Sequence, residues 1–364
     1  MNLSRLVKWS AVALALVVLP ACGGGSKKLK VAFVSNNPAD FWNIAEAGCA
    51  KAAEEEGVEA IFKKPSQNDA AVQKEVIDGL LAQDVKAIAV SVIDPKNQTP
   101  YLDEVCAKTQ LLAVDNDAPK SKRIAYLGTD NYKAGRAAGK LTKETLPMGG
   151  TVVIFVGDLS AINARQRRQG VIDELADRPY RKDVNELTAT EDEGAKLGGK
   201  YQLFKKTLTD QPEAEQRARQ NAVDVLKEVR KELAAGDDVC MVGLWAYNPA
   251  QCLSALKDEF KEEKELAKHV KIVGFDENFD TLQGIADGLV HGTVVQQPYQ
   301  FGYQSVKIMA ALAKGDKSKL PPDGILHIPY RIVTKEARAA IDKDEPKCEP
   351  VADFTVELKK LLGK

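Results

Sequence analysis

The chain has 364 residues, too many for one ordinary hydrophobic core, so two domains are expected. Its 51 Lys and Arg nearly balance 52 Asp and Glu, and no basic tract is present, which argues against a nucleic-acid partner. The three histidines, His269, His291 and His327, stand far apart with no ligand spacing, so no metal site is expected, and nothing else in the sequence implies a cofactor.

The first residues differ in kind from the rest. Arg5 and Lys8 precede the apolar run Ala11–Leu19, which is followed by Pro20-Ala21-Cys22-Gly-Gly-Gly-Ser26. A basic start, a short apolar stretch and a small-residue zone mark an export signal. The run is too short to span a bilayer, which takes about 20 apolar residues. Leu19-Pro20-Ala21-Cys22 resembles a bacterial lipobox. That implies a lipidated Cys22 and a flexible tether from Gly23 to Ser26, with residues 1–28 as signal and tether. An ordinary signal peptide with an incidental Cys22 is the other reading.

From Lys30 the chain alternates. A strand over 30–35 precedes a helix over 41–56, a strand over 59–63 a helix over 69–83, and a strand over 86–92 a helix over 100–108. Strands over 111–115 and 124–128 follow, then a helix from Asn131 to Leu146 with closely spaced Ala and Gly. A second series has a strand over 151–156, a helix over 162–176, and a weak strand near 185–190 or 203–208. It continues with a long charged helix over 212–235, strand 239–244, helix 249–262, strand 271–275, helix 279–287 and strand 292–296. The helix over 298–313 opens on Pro298, a preferred first-turn residue. The stretch 178–206 reads as an irregular insertion, and the tail after Asp342 as weakly structured apart from a helix over 354–362.

Strand–helix alternation throughout predicts an α/β protein with doubly wound parallel sheets and helices on both faces. Five apolar runs end in a polar residue: Val31–Ser35, Leu111–Asp115, Val152–Asp158, Ile272–Asp276 and Thr293–Gln296. In open parallel sheets, ligands sit outside the carboxyl ends of the strands. With Phe41, Trp42, Trp245 and Phe275 nearby in sequence, these ends predict a polar cleft with aromatic walls, suited to a neutral, hydroxyl-rich ligand. Five cysteines follow Cys22, namely Cys49, Cys106, Cys240, Cys252 and Cys348. The odd count and absent CxxC spacing favour buried thiols, with Cys240–Cys252 the one disulfide considered.

Six stretches, in order and at comparable gaps, resemble the ribose-binding type of periplasmic sugar-binding protein from bacterial ABC importers. They are Val34–Trp42, Val114–Asp117, Leu127–Asn131, Asn163–Gly170, Val273–Asp276 and Thr293–Pro298. The resemblance covers about 29–335 and implies two similar lobes joined by a three-strand hinge. One lobe takes residues 29–129 and 297–325, the other 130–296 and 326–342, leaving a tail at 343–364. The chain is expected to cross near Thr129–Asp130, Gln296–Gln297 and Gly324–Ile325. The resemblance further implies a lipid-anchored, monomeric binding component that closes its lobes on a monosaccharide and presents it to ABC permease subunits in the membrane.

The same resemblance assigns site residues. Phe41 and Trp42 match an aromatic pair that sandwiches a sugar ring, whose C–H face is apolar and whose rim is polar. Asp115 matches an aspartate binding two hydroxyls. Asn116 stands where ribose binders carry arginine, which removes ribose as the easiest guess. Arg167 matches an arginine reaching the ring, with Arg165 the near alternative and Arg168 read with it as a solvated face. Asn248 matches a hinge-side asparagine, Phe275 a wall residue, and Asp276 and Gln296 the last polar contacts. Another family aromatic falls near Ala214, so Trp245 or Tyr247 is expected to substitute. Ser35 keeps a place as a strand-end candidate, and Asp158 loses it to Arg167. Asp276 and Asn248 also read as helix caps.

No GxSxG elbow, HExxH helix or P-loop occurs, so an enzyme is not expected. The remaining alternative is a receptor of the same fold for a polyol, nucleoside, signalling furanone or amino acid. The sequence leaves open which sugar is bound and which membrane holds the anchor.

Overall fold

The computed structural model describes residues 28–181, 192–211 and 213–363. Cys22 and the leader, and the strand placed at 185–190, lie outside the described residues. The first series runs β1 (Lys30–Val34), α1 (Phe41–Glu56), β2 (Glu59–Lys63), α2 (Ala70–Leu81), β3 (Ala87–Val90), α3 (Pro95–Cys106), β4 (Gln110–Val114) and β5 (Ala125–Gly128). Asp69 caps α2 by accepting from Ala71 and Val72 N–H, and Asp94 caps α3 in the same way ahead of Pro95. α3 therefore begins five residues before the expected helix. Its first turn, Pro-Lys-Asn-Gln-Thr, has no apolar periodicity, and only the cap and proline mark it.

The second series has α4 (Asn131–Thr145), β6 (Gly150–Val156), α5 (Ile162–Leu175), β7 (Lys196–Leu197), β8 (Tyr201–Leu203) and β9 (Leu208–Thr209). It goes on through α6 (Glu215–Glu228), α7 (Arg230–Ala234), β10 (Val239–Gly243), α8 (Asn248–Glu259), α9 (Lys264–Ala267), β11 (Val270–Phe275), α10 (Phe279–Ala286) and β12 (Gly292–Val295). The long helix expected over 212–235 is two helices, parted at Val229. The stretch read as an irregular insertion contributes two short strands, β7 and β8, to the sheet edge. α11 (Pro298–Ala313), β13 (Ile325–His327), β14 (Arg331–Thr334), β15 (Cys348–Pro350) and α12 (Val351–Leu361) complete the chain.

Two sheets result. The first has six strands in the order β13-β5-β4-β3-β1-β2, all parallel. The second follows β15-β14-β12-β11-β10-β6-β8-β7, with β9 also beside β6. β12 and β14 are antiparallel, as are β7 and β8. The connection through Thr129–Asp130 and the one through Gln296–Gln297 pass from sheet to sheet. The third passage differs from expectation. Ile325–His327 still pairs with Tyr126–Gly128, so the chain leaves the first sheet after His327 rather than near Gly324–Ile325.

Burial explains the unbroken apolar strands. β3, β4 from Leu111, β10 and β12 are fully covered by helices on both faces. Cys240 and Cys252 are free thiols rather than a disulfide. Alternation along β10 turns Cys240 to the layer of α4 and α5, whereas Cys252 on α8 packs in the opposite layer. Cys49, Cys240, Cys252 and Cys348 are buried, and Cys106 is half-buried.

α4 and α5 touch backbone to backbone. A Cβ on Gly135 would stand 2.2 Å from the Arg167 carbonyl oxygen, and one on Gly170 2.3 Å from that of Tyr132. The closely spaced small residues of α4 serve this contact. It fixes the height of Arg167 on α5.

Candidate ligand-binding site

The carboxyl ends of β1 and β4 face those of β11 and β12 across a cleft. Asn36, Asn37, Ala39, Phe41, Trp42 and Asp115 line one side, and Asn163, Arg167, Trp245, Ala246, Tyr247, Asp276 and Gln296 the other. Seven of the expected site residues are thus brought together: Phe41, Trp42, Asp115, Arg167, Trp245, Asp276 and Gln296. The enclosed space is only about 50 Å³, against roughly 300–1,000 Å³ for a typical small-molecule site. The two sides are therefore closed on each other. A wider cavity of about 410 Å³ adjoins it and shares Ala39, Phe41, Ala246 and Tyr247, which makes it the mouth.

Asp115 and Asp276 end their strands in the left-handed region, with φ of 60° and 64°. Few non-glycine residues adopt it, and aspartate is among the most tolerant. Neighbouring hydroxyls hold both: Tyr126 Oη donates to the Asp115 carbonyl at 2.8 Å, and Thr293 Oγ1 to that of Asp276 at 2.9 Å. Ser91 Oγ donates to the Asp115 carboxylate at 2.9 Å, and Gln296 Nε2 to that of Asp276 at 2.9 Å. Asn278, not Asp276, caps α10, which leaves the Asp276 carboxylate to the cleft.

Arg167 sits between the two aspartates. Its Nη2 is 3.8 Å from Asp115 and its Nη1 3.8 Å from Asp276, contacts too long for hydrogen bonds. Nε donates to Asn131 Oδ1 at 2.8 Å and Nη1 to the Leu244 carbonyl at 3.0 Å, and the guanidinium lies 4.2 Å over the Phe275 ring. Burial raises the pKa of Asp115, with Arg167 opposing it. Burial likewise pushes Asp276 up to about 6 against the pull of Arg167, and neighbouring Glu277 is raised well above its ordinary value, again by burial first.

The aromatic wall is anchored. Phe41 and Trp42 meet edge to face at 5.1 Å, and Trp42 Nε1 donates to Asn36 Oδ1 at 3.2 Å. Trp42 is also a core residue, its ring 5.9 Å from that of Phe33. Trp245 lies against the backbone of Gly157, where a Cβ would stand 2.1 Å from the indole. Asp158, at that strand end, instead turns to bond Ser160.

Four expected contacts take other roles. Ser35 is fully buried and donates to the Asn37 carbonyl. Asn116 lies behind the cleft: the left-handed turn at Asp115 sends its amide back to the Val92 carbonyl, and its Oδ1 accepts from Asn163 N–H at 3.2 Å. Asn248 is held by Asp210 and by Trp245 N–H. Phe275 is completely buried beneath Arg167, under the site rather than beside it. Arg165 donates to the Leu159 and Ser160 carbonyls. Arg168, read as part of a solvated face, is buried with its Nε on Thr207. Asn36, Asn37 and Asn163 enter the cleft though none was named as a contact; all three lay inside stretches that carry the family resemblance, without a role assigned to them.

Four buried polar atoms of this cleft have no hydrogen-bond partner among the described residues: Arg167 Nη2, Trp245 Nε1, Asn163 Oδ1 and Gln296 Oε1. Buried polar groups are nearly always paired, so four together mark a place for a partner. A larger cavity of about 800 Å³ between α8, α9 and β11 is rimmed by lysines and lies at the far ends of these strands.

Two parallel-sheet units gripping a polar cleft between their strand ends define a substrate-binding protein of the periplasmic type. The chain belongs to the periplasmic binding protein domain family, whose model matches residues 31–317. It is 24% identical over 329 residues to the ribose import binding protein of Salmonella typhimurium, covering 89% of this chain and 98% of that one. The Bacillus subtilis ribose import binding protein is also 24% identical, over 302 residues, covering 82% of this chain and 86% of its own. Among solved structures, a Burkholderia graminis ABC transporter solute-binding protein in complex with D-arabinose superposes with a TM-score of 0.69 at 24% identity, covering 85% of this chain and 96% of its own. The glucose-galactose binding protein GanP of Geobacillus stearothermophilus gives the same TM-score and identity, with 85% and 98% coverage. These relatives are binding proteins rather than enzymes.

Proposed function

We propose that this chain is the sugar-binding component of an ABC importer, capturing a monosaccharide between its two lobes. One observation carries the reading. The unpartnered cleft atoms comprise two donors, Arg167 Nη2 and Trp245 Nε1, and two acceptors, Asn163 Oδ1 and Gln296 Oε1. A sugar hydroxyl both donates and accepts, so a ring of hydroxyls satisfies this mixed set, while Phe41 and Trp42 offer apolar faces to its C–H surface. The arabinose and ribose named for the relatives fall in the same chemical class.

Residues 29–129 with 297 to about 328 form one lobe, and the second sheet with its helices the other. A cleft this narrow admits a ring only when the lobes part, and closure follows because the ligand bonds to both sides. Asp115 binds from the first lobe; Asn163, Arg167, Asp276 and Gln296 bind from the second. The closed monomer then docks on two membrane permease subunits driven by a cytoplasmic ATPase. Export rests on the leader ahead of Cys22, and anchoring on Cys22 itself, lipidated at the start of the mature chain.

Calorimetry against D-ribose, D-arabinose, D-xylose, D-glucose, D-galactose, polyols and amino acids tests the reading. Saturable heat with one or more sugars is expected; heat with amino acids alone overturns the sugar assignment. Mass spectrometry of the membrane fraction tests the anchor, and an unmodified N-terminus beyond Cys22 defeats it.

A further inference from the structure

The wall formed by Trp245 and Tyr247 has a support that does not itself line the cleft. Asp210 follows β9 and is fully buried. One carboxylate oxygen accepts from Tyr247 Oη at 2.5 Å, and the other from Asn248 Nδ2 at 2.7 Å. Asn248 Oδ1 in turn accepts from Trp245 N–H at 3.0 Å. Asp210 is itself pinned: its N–H donates to the Gly157 carbonyl at 3.2 Å, and its carbonyl accepts from Ala214 N–H at 2.8 Å. Gln211 Nε2 adds a bond to Tyr247 Oη at 3.0 Å.

We infer that Asp210 is a positioning residue of the sugar site: its two carboxylate oxygens fix Tyr247 and, through Asn248, Trp245, and so set ligand affinity without contacting ligand. The inference rests on the sugar-binding reading of the cleft. Two donors converge on Asp210 and require two acceptors. A carboxylate supplies both, whereas an amide supplies one and turns its N–H₂ either on that of Asn248 or on the Tyr247 hydroxyl, which must then accept instead of donate. The same bonds explain why Asn248 does not reach the cleft: both ends of its amide are engaged.

The surroundings make this support sensitive to pH. From α8 the group meets Tyr247, Asn248 and, beneath them, Cys252; after β6 stands Asp158, and at the start of α6 Glu215. Among the described residues, no basic side chain is among the groups that act on it. Burial therefore pushes Asp210 up to about 7, against the two donated hydrogen bonds. Protonation converts one acceptor into a donor, so that Tyr247 must reverse its bond or Asn248 lose its own.

The test is calorimetric affinity of the full-length chain for the sugar giving the greatest heat in that panel, from about pH 6 to about pH 8, for wild type, Asp210→Asn and Tyr247→Phe. Wild-type affinity is expected to rise with pH. Asp210→Asn is expected to bind about tenfold more weakly at the upper pH and to lack the part of the rise centred near 7. Circular dichroism verifies its fold. Tyr247→Phe keeps the carboxylate but removes a donor to it, so the midpoint moves upward. Asp210→Asn binding within twofold of wild type with its pH profile intact, or an unmoved midpoint in Tyr247→Phe, overturns the inference. Should no sugar bind the wild type, the functional reading fails separately. Intrinsic tryptophan fluorescence of the ligand-free chain then tests Asp210: a transition near pH 7 present in wild type and absent in Asp210→Asn is expected, and a transition that survives the substitution overturns the role.

Discussion

Asp115 and Asp276 are counterparts across the cleft: each ends a parallel strand with a positive φ, each has its carbonyl held by a hydroxyl, and each stands 3.8 Å from Arg167. One cation thus faces two buried carboxylates from different sheets. In that balance a ligand hydroxyl can enter between Arg167 and either aspartate without breaking an existing short bond.

Removing any of the three groups should weaken binding, on the proposed assignment of the cleft. Asp115→Ala, Asp276→Ala and Arg167→Ala should each lower sugar affinity by about 10- to 100-fold, the usual effect of losing hydrogen bonds to a charged partner. Isothermal calorimetry measures it, and losses of only a few-fold would remove these residues from the ligand shell.

Stability should move against function at Asp276. Its folded pKa is raised to about 6, so below the ordinary carboxylate range native and unfolded states hold the proton alike. As pH climbs through the window up to about 6, the unfolded chain releases the proton first, and stability declines by up to about 1.4 kcal/mol per pH unit from this group. Asp276→Asn should abolish that part of the decline and, above pH 6, unfold in urea no earlier than wild type while binding sugar poorly. An unchanged slope of stability with pH in the variant contradicts the assignment.

Helix contact can be tested with glycines. Gly135→Ala or Gly170→Ala inserts a methyl group into the neighbouring backbone, and each should cost about 1–3 kcal/mol in thermal or chemical unfolding. Gly79→Ala, within α2 and with nothing near its added Cβ, should instead stabilise by about 0.5–1 kcal/mol. Equal effects at the two kinds of position would refute the close packing of α4 on α5.

Thiol titration should find Cys49, Cys240, Cys252 and Cys348 unreactive in the folded protein, with Cys106 reacting slowly. All become reactive in denaturant without added reductant. A denaturant-resistant deficit of two thiols would restore a disulfide.

Much of this was legible in the chain itself, for identifiable reasons. Strands covered on both faces leave unbroken apolar runs, so β1, β4, β10 and β11 stand out. The start of α3 does not, because a polar first turn carries only a cap and a proline. Arg167, Asp115 and Asp276 were visible through motifs; what Asn116 and Asn248 do was not. Their side chains are redirected by a left-handed neighbour and by Asp210, which lies in a polar stretch without periodicity. Direction and partnership depend on residues distant in sequence, and no local pattern encodes them.

The glycine-tight seam between α4 and α5 has a mechanical meaning. α4 begins at Asn131, directly after the Thr129–Asp130 passage between the sheets, and Asn131 itself holds Arg167 Nε. The passage between the sheets, the helix leaving it and Arg167 are therefore packed as one unit. If the lobes part as proposed, Arg167 should withdraw from Asp115 together with α4, and a reporter attached to α4 should follow that movement.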